Sequence, residues 1–313
     1  MRAPWILGIA MCLVGAAASA RAAHAWKQAP GEVALTQDGQ VLWQFRFGEQ
    51  ETKPCFHPVA LPGGPALTWH RPADHRWHCA LWFSWKYLNQ VNYWEEDART
   101  GLPAGRTEWT APQVETRPDS SARLQMELTY RPAQGSAVMR EQRILEIAPP
   151  GADGTQQQDW VCVFTALAPQ VILDRTPPPP GPDGRGPGGY AGLSVRLVRE
   201  FEDVQVCTPT GAVSLATGRY RGKAAAVDYS GRVGDKECGI AFLDHPQNLN
   251  APSPWYVIND GPMRFVNAAV VCFGPHTLKQ GETLTLRYRV MIHPGRWTPE
   301  RLQREVERYQ RQQ

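Results

Sequence analysis

Between Cys55 and Asp97 the chain gathers the side chains that do chemistry. Four of its eight histidines (His57, His70, His75, His78) and five of its twelve tryptophans fall there, closing on the acidic run Trp94-Glu95-Glu96-Asp97. An ordinary core has little use for imidazoles, carboxylates and indoles at this density. A site that holds a polar ligand against aromatic faces needs all three. Read as a strand, Trp77 to Trp85 sets Trp77, Cys79, Leu81, Phe83 and Trp85 on one face and His78, Ala80, Trp82 and Ser84 on the other. The second face places His78 beside an indole and a hydroxyl. Asp74 and His75 precede it in a loop, where Asp74 can fix the tautomer of an imidazole.

A second Asp-His pair, Asp244-His245, closes the apolar run Cys238–Leu243 and is followed by Pro246. His57-Pro58 and His293-Pro294 are two further histidines held extended by the proline after them, as strand ends or as parts of a site. Two chemistries suit these residues. Neutral imidazoles with Glu95 or Asp244 could hold a divalent metal. Alternatively, His75 or His78 could act as base, with Glu95 or Asp244 as partner, in acid/base chemistry on a sugar. His245 belongs to the same catalytic set, and His57 to the ligand-binding one. Trp82, Trp94 and Trp255 are placed to form a flat platform for a sugar ring, while Trp43, Trp77 and Trp160 have core parity. Arg196 faces an anionic group or forms an ion pair. The sequence has no HExxH, no Cys-x-x-Cys, no GxSxG, no P-loop and no dinucleotide fingerprint, so the metal signal is weak.

The elements that must position these residues read as strands. Glu32 to Phe47 is a hairpin about Asp38-Gly39, with Val41, Trp43, Phe45 and Phe47 at period two. Further strands are expected at Arg106–Thr110, Ala122–Tyr130, Val138–Ile147, Trp160–Leu167, Leu193–Phe201, Val213–Thr217, Ala225–Tyr229, Cys238–Leu243, Phe265–Phe273 and Leu284–Ile292. Short Val-, Leu-, Phe- and Thr-rich runs punctuated by Gly and Pro predict an all-β protein, a sandwich of large antiparallel sheets. One helix is expected at the end, capped by Thr298 with Pro299 in its first turn. The Pro/Gly-rich residues 176–189 read as a surface loop between strands, or a flap over a site.

Residues 1–25 have the form of a secretory signal peptide: Arg2, an apolar run from Trp5 to Gly15, and signal-peptidase sites at Ala18-Ser19-Ala20 and Ala23-His24-Ala25. Residues 26–313 then form one domain, with a periplasmic or secreted location expected. Losing Arg2 and Arg21 lowers the net charge from +3 to +1. Such a chain has no electrostatic footprint for nucleic acid, and no later run is long and apolar enough to span a membrane. Six cysteines follow residue 25. An oxidising compartment allows them to pair, though Cys162, Cys238 and Cys272 sit in apolar runs that suit buried free thiols.

The same residues resemble a known family. Phe56-His57-Pro58, the DHxxH segment Asp74–His78 with Leu81–Phe83, and Tyr93–Glu96 carry the likeness in the first half. Gly188–Arg196, Val227–Gly231, Gly239–Asn248 with Pro254-Trp255, and Leu286–Gly295 carry it in the second. Together they are similar to the DUF6807 family, whose members are often labelled PmoA or methane oxygenase proteins. Where that family usually reads DHPHHRG, this chain has DHRWHCA, so Trp77 replaces a histidine and Cys79-Ala80 an Arg-Gly pair. In length and strand pattern the family resembles β-supersandwich sugar enzymes such as aldose epimerases, an analogy of fold. The expected function is that of an exported carbohydrate-active protein with a small carbohydrate ligand. A non-catalytic carbohydrate-binding protein is the alternative, and a metal-dependent oxidase is what the family label suggests.

Overall fold

The eleven residues Gln156–Ala166 alternate strictly between buried and half-exposed, as a strand covered on one face must. That rule, repeated, builds the molecule. The computed structural model describes residues 23–180 and 186–312; the expected leader up to residue 22, with Cys12, lies outside the described residues. A nine-stranded sheet runs in the order His24–Ala29, Glu32–Gln37, Gln40–Arg46, Cys55–Val59, Leu81–Ser84, Gly192–Leu197, Met263–Ala268, Pro254–Asp260, Arg219–Lys223. A ten-stranded sheet packs against it, with Lys236–Asp244, Thr283–Pro294 and Gln156–Ala166 at its centre. All strand pairs are antiparallel. A smaller four-stranded sheet joins His276–Lys279, Gln170–Asp174, Tyr87–Leu88 and Val91–Asn92.

The two inner faces meet in aromatic contacts: Phe56 with Trp160 at 5.6 Å between ring centroids, Phe83 with Phe164 at 5.2 Å and Phe242 with Trp255 at 6.3 Å. This is the β-sandwich that the strand pattern predicts. The hairpin turn at Asp38-Gly39 has φ of 50° and 85°. Both central residues are thus left-handed, which the twist of a two-residue hairpin favours. A bulge in this hairpin shifts the register between Leu35 and Thr36, so Leu42 and Trp43 are both buried and Val41 is not. The helix forms at Pro299–Arg311, with Thr298 Oγ1 accepting from the Arg301 amide. Its face of Leu302, Val306 and Tyr309 covers Leu243 and Met291 on the outside of the ten-stranded sheet.

Several expected elements differ. Val213–Thr217 is not a strand: it ends in a turn in which Gly218 donates to the Leu215 carbonyl. The run expected at Phe265–Phe273 stops as a strand at Ala268, and Ala269–Cys272 is a buried turn, whose apolar composition mimics a strand. The six cysteines among the described residues are all free and buried. His24–Ala29, which the second signal-peptidase site would cut, pairs with Glu32–Gln37. A cut after Ala20 leaves that strand whole. No helix among the described residues is long and apolar enough to cross a membrane.

Phe164 joins the sheets, touching Phe83 and Trp85 at 5.2 and 5.1 Å. Phe164→Ala should therefore cost about 3–5 kcal/mol in urea unfolding. Phe273, which is 62% exposed, should tolerate Phe273→Ser within about 0.5 kcal/mol.

Candidate functional site

The outer face of the nine-stranded sheet carries residues that an exposed face would not bury. One cross-strand row runs Cys55, Trp82, Ser194, Asn267, Tyr256, Arg221. The next runs Arg196, Phe265, Ile258, Arg219. Ser194, Arg196 and Asn267 are fully buried, so segments outside the sheet must lie over them. Among the described residues, His78 Nδ1, Trp82 Nε1, Arg196 Nε and Asn267 Oδ1 find no hydrogen-bond partner. Such orphans cost about 1–3 kcal/mol each. Others, among them Trp85 Nε1, Trp160 Nε1 and both Gln158 amide atoms, lie in the interior between the sheets, so these four point to a ligand only together with the pocket beside them.

The cover comes from three segments, and together with the sheet they enclose a pocket of about 190 Å³. His75, Trp77 and His78 come from the loop before Leu81–Ser84, Trp94 and Glu95 from the acidic run, Pro187 from the Pro/Gly-rich segment and Tyr190 from just after it. Tyr256, Ile258, Phe265, Met263, Arg219 and Asp260 rise from the sheet. The loop is folded by its own backbone: Arg71 donates to the His78 carbonyl (2.8 Å), His75 to Pro72 (3.0 Å) and His78 to His75 (2.9 Å). Ala80 has φ of 65°, which breaks the alternation expected from Trp77 to Trp85. The strand begins only at Leu81. Cys79 and Trp82 consequently share one cluster, and Trp77 stands in the pocket rather than in the core.

His75 and His78 stack at 4.8 Å and 30°, and His78 stacks on Phe265 at 5.2 Å. Burial, reinforced by His75 and Arg196, holds His78 well below the usual imidazole range, so it is neutral. His75 is the exposed member, with Nδ1 2.9 Å from Asp74 Oδ2. The same Asp74 oxygen accepts from Arg196 Nη2 at 2.7 Å, and the Arg196 guanidinium lies over the Trp69 ring at 5.3 Å. Partial burial pushes the Asp74 carboxyl up, but hydrogen bonds from Arg196 and His75 outweigh it and hold the group below its ordinary value. Glu95 is fixed more fully, accepting from Lys86, from Asn92 at 2.7 Å and from the Tyr190 hydroxyl at 2.7 Å. Burial raises it, and the Lys86 charge with these donors more than reverses the effect. Across the pocket, Arg219 donates to the Tyr256 hydroxyl at 3.0 Å and pairs with Asp260 at 3.4 Å.

Of the residues singled out from the sequence, the structure brings His75, His78, Trp94 and Glu95 to this pocket. Trp82 and Arg196 do not line it but stand behind its wall, Trp82 5.2 Å from the His78 ring and Arg196 bonded to Asp74. The others lie elsewhere. Trp255 points into the sandwich and donates to the Ala224 carbonyl at 2.7 Å, because it sits one residue out of phase with Tyr256 on the same strand. Asp244 ends a strand of the ten-stranded sheet and accepts from the Ser253 amide and hydroxyl and from Asn248, each at 2.7 Å. His245 accepts from the Gln247 amide at 3.0 Å and meets the Tyr309 ring of the helix. His57 stacks on His70 at 5.3 Å and bonds Thr68 Oγ1 at 3.0 Å. Among the described residues, the one group with metal-ligand geometry is Glu51, Cys55 and His70, and neither Glu95 nor Asp244 belongs to it.

Tyr190, Tyr256, Phe265 and Arg219 were not legible as site residues. Tyr190 had one signal, the preceding Gly188-Gly189: Gly189 has φ of 83°, and a Cβ there would meet Cys272 Sγ at 2.7 Å. The chain passes too close to its neighbour for any other residue.

Burial raises Asp244 to about 6 against the bonds from Ser253 and Asn248. An unfolded Asp loses its proton near pH 3.9, so between about pH 4 and 6 the folded state holds the extra proton. Stability must then fall as pH rises through that window, by up to about 1.4 kcal/mol per unit, and level off above it. In urea unfolding at pH 4, 5 and 6, Asp244→Asn should be less stable at every pH yet lack this slope.

Comparison with known proteins gives the following. No curated protein matches the sequence. Among solved structures, an aldose 1-epimerase candidate from Klebsiella pneumoniae is similar over 92% of this chain and 88% of its own, at 8% identity and a TM-score of 0.48. The galactosidase domain of an alpha-galactosidase-sucrose kinase is similar over 86% of this chain, which spans only 40% of that one, at 11% identity and a TM-score of 0.40. A galactose mutarotase related enzyme from Lactobacillus acidophilus is similar over 87% of this chain and 97% of its own, at 7% identity and a TM-score of 0.34. Likeness this distant says nothing of the chemistry. The family model is a different matter: it describes a family of unknown function and matches residues 32–307, and the chain belongs to that family, DUF6807.

Proposed function

We propose that the protein binds a small neutral carbohydrate in the pocket under His75 and Trp77 and performs acid/base chemistry on it. One observation carries this reading: a pocket of about 190 Å³ whose walls are aromatic (Trp77, Trp94, Tyr190, Tyr256, Phe265) and whose polar groups include a carboxylate-oriented histidine. Its volume is below the ~300–1,000 Å³ of drug-sized sites, which suits one sugar unit rather than a polymer. Aromatic faces take up the C–H side of a pyranose, and the Glu95, Arg219 and Asp260 side chains offer acceptors and donors to its hydroxyls. Positive and negative groups are paired within the pocket, which matches a ligand without net charge.

In this reading His75 moves the proton. Asp74 accepts a hydrogen bond from His75 Nδ1–H and thereby leaves Nε2 as the nitrogen that accepts or returns a proton. His78, neutral and buried, stacks beneath it and sets the ring plane. Glu95 anchors the ligand. A carboxylate held by three donors is a poor base, and this saturation favours a second reading, in which the protein binds the sugar without turnover. The leader-like pattern in residues 1–20 supports export, to the periplasm or outside the cell, with Ala20 the expected cleavage point.

Tryptophan fluorescence with a panel of neutral aldohexoses and their methyl glycosides tests binding, and NMR of the same sugars tests conversion. Trp77→Ala should weaken binding at least tenfold while costing under about 1 kcal/mol of stability, since Trp77 is only half-buried. His75→Gln should leave binding within about threefold and lower conversion by 10² or more. Binding that persists with no conversion in the wild type would select the second reading. Undiminished binding in Trp77→Ala would remove both.

A further inference from the structure

A second cluster of reactive side chains lies towards the other edge of the same sheet, and nothing in the sugar pocket uses it. Glu51, Cys55 and His70 each present a ligand atom, and these atoms all lie within 4.8 Å of one another. Cys55 opens the Cys55–Val59 strand with its side chain on the outer face, in register with Trp82. His70 is set by its bridge to Cys79, and Glu51 by the turn in which its amide donates to the Gly48 carbonyl at 3.0 Å. The group is enclosed: Cys55 is fully buried, and the Glu51 and His70 side chains are 4% and 12% exposed.

We propose that Glu51, Cys55 and His70 bind a zinc-class divalent cation. Among the described residues the Cys55 thiol has no hydrogen-bond partner, yet it faces a carboxylate and an imidazole, surroundings that an inert core thiol does not need. Thiolate, imidazole and carboxylate together are the donor set of a borderline-soft metal and a poor one for calcium or magnesium. Tetrahedral coordination at 2.0–2.3 Å places ligand atoms about 3.5 Å apart. The 4.8 Å spread closes to that by rotations about side-chain bonds. Glu51 already points one oxygen at His70 Nε2, 2.8 Å away, while its other oxygen takes the Arg46 guanidinium at 2.7 Å. Arg46 thus occupies the outer oxygen, as the hydrogen-bonded partner of a ligating carboxylate does. On binding, the His70 Nε2–H bond to Glu51 gives way to the tautomer with its hydrogen on Nδ1, which frees Nε2 to ligate. The Cys55 thiol gives its proton to solvent, and thiolate and carboxylate together balance the dication. Arg46 and Glu51 line a hollow open to solvent, which gives the ion a way in. None of the three ligands lines the sugar pocket. The ion would tie the Cys55–Val59 strand to His70, one residue before the Arg71–His78 loop.

The test uses full-length protein stripped with a chelator and titrated with Co²⁺, then Zn²⁺. The wild type should take up about one Co²⁺ per chain with thiolate-to-cobalt charge-transfer absorption, and Zn²⁺ should displace it and raise the Tm. Cys55→Ser should abolish that absorption, and His70→Gln and Glu51→Gln should each weaken binding at least tenfold. Cys272→Ser, at a buried thiol in the turn after the Met263–Ala268 strand, should change nothing. Wild-type protein with no charge-transfer band at about 1 mM Co²⁺ would overturn the site, as would a band that survives Cys55→Ser. If Cys55→Ser does not fold, the wild-type band and the two other variants decide alone.

Discussion

The ion pair between Arg196 and Asp74 is the interaction on which the site depends. Arg196 stands on the Gly192–Leu197 strand, fully buried, with its Nη2 2.7 Å from the Asp74 carboxylate. A guanidinium so placed loses its hydration and must be given an anion in return. The anion available is on the loop, not on the sheet. Satisfying Arg196 therefore draws the Arg71–His78 loop down onto the outer face, and the same Asp74 oxygen then orients His75. Removing either partner would leave an uncompensated group and release the loop. Structure and chemistry are coupled through one carboxylate oxygen.

The second constraint is the division of labour between the two faces of that sheet. Inward, Phe56, Phe83, Val195, Val257 and Trp255 build an apolar core against the other sheet. Outward, Trp82, Ser194, Arg196, Asn267 and Tyr256 form a buried but partly polar layer. The first layer stabilises by removing apolar area from water. The second gives up some of that gain by burying the polar side chains of Ser194, Arg196 and Asn267, of which Arg196 Nε and Asn267 Oδ1 have no partner among the described residues. A fold tolerates such a layer where a ligand completes it.

How much of this was legible in the sequence follows from the same physics. Period-two alternation exposes strands covered on one face, so Ala122–Pro132, Met139–Ile147 and Gln156–Ala166 were readable, as was the helix with its Thr298 cap. Of the histidines and tryptophans between Cys55 and Asp97, His75, Trp77, His78 and Trp94 line the pocket, while His57, His70, Trp69, Trp82 and Trp85 do not. Phase was the weak point. A left-handed Ala80 broke the alternation that had set Trp77 in the core, and a one-residue difference separates Trp255, which is inside, from Tyr256, which lines the pocket. Asp244 and His245 look like a site from residue type alone. Their place in the fold, on the other sheet and bonded to Ser253, Asn248 and Gln247, depends on contacts that spacing does not encode. The partners across the pocket, Arg219, Tyr256 and Phe265, come from strands more than a hundred residues further on, and only the sheet order brings them there.

A neutral sugar that enters over His75 and His78, and nowhere else, must change the surroundings of those two rings alone. Nitrogen-15 NMR of the histidine side chains, recorded while a neutral aldohexose is titrated in, reads this directly. The ring signals of His75 and His78 should shift together with one saturating dependence on sugar, while His57, His245 and His293 stay in place. Shifts at His245 with none at His75, or no saturating shift at any histidine, would contradict it.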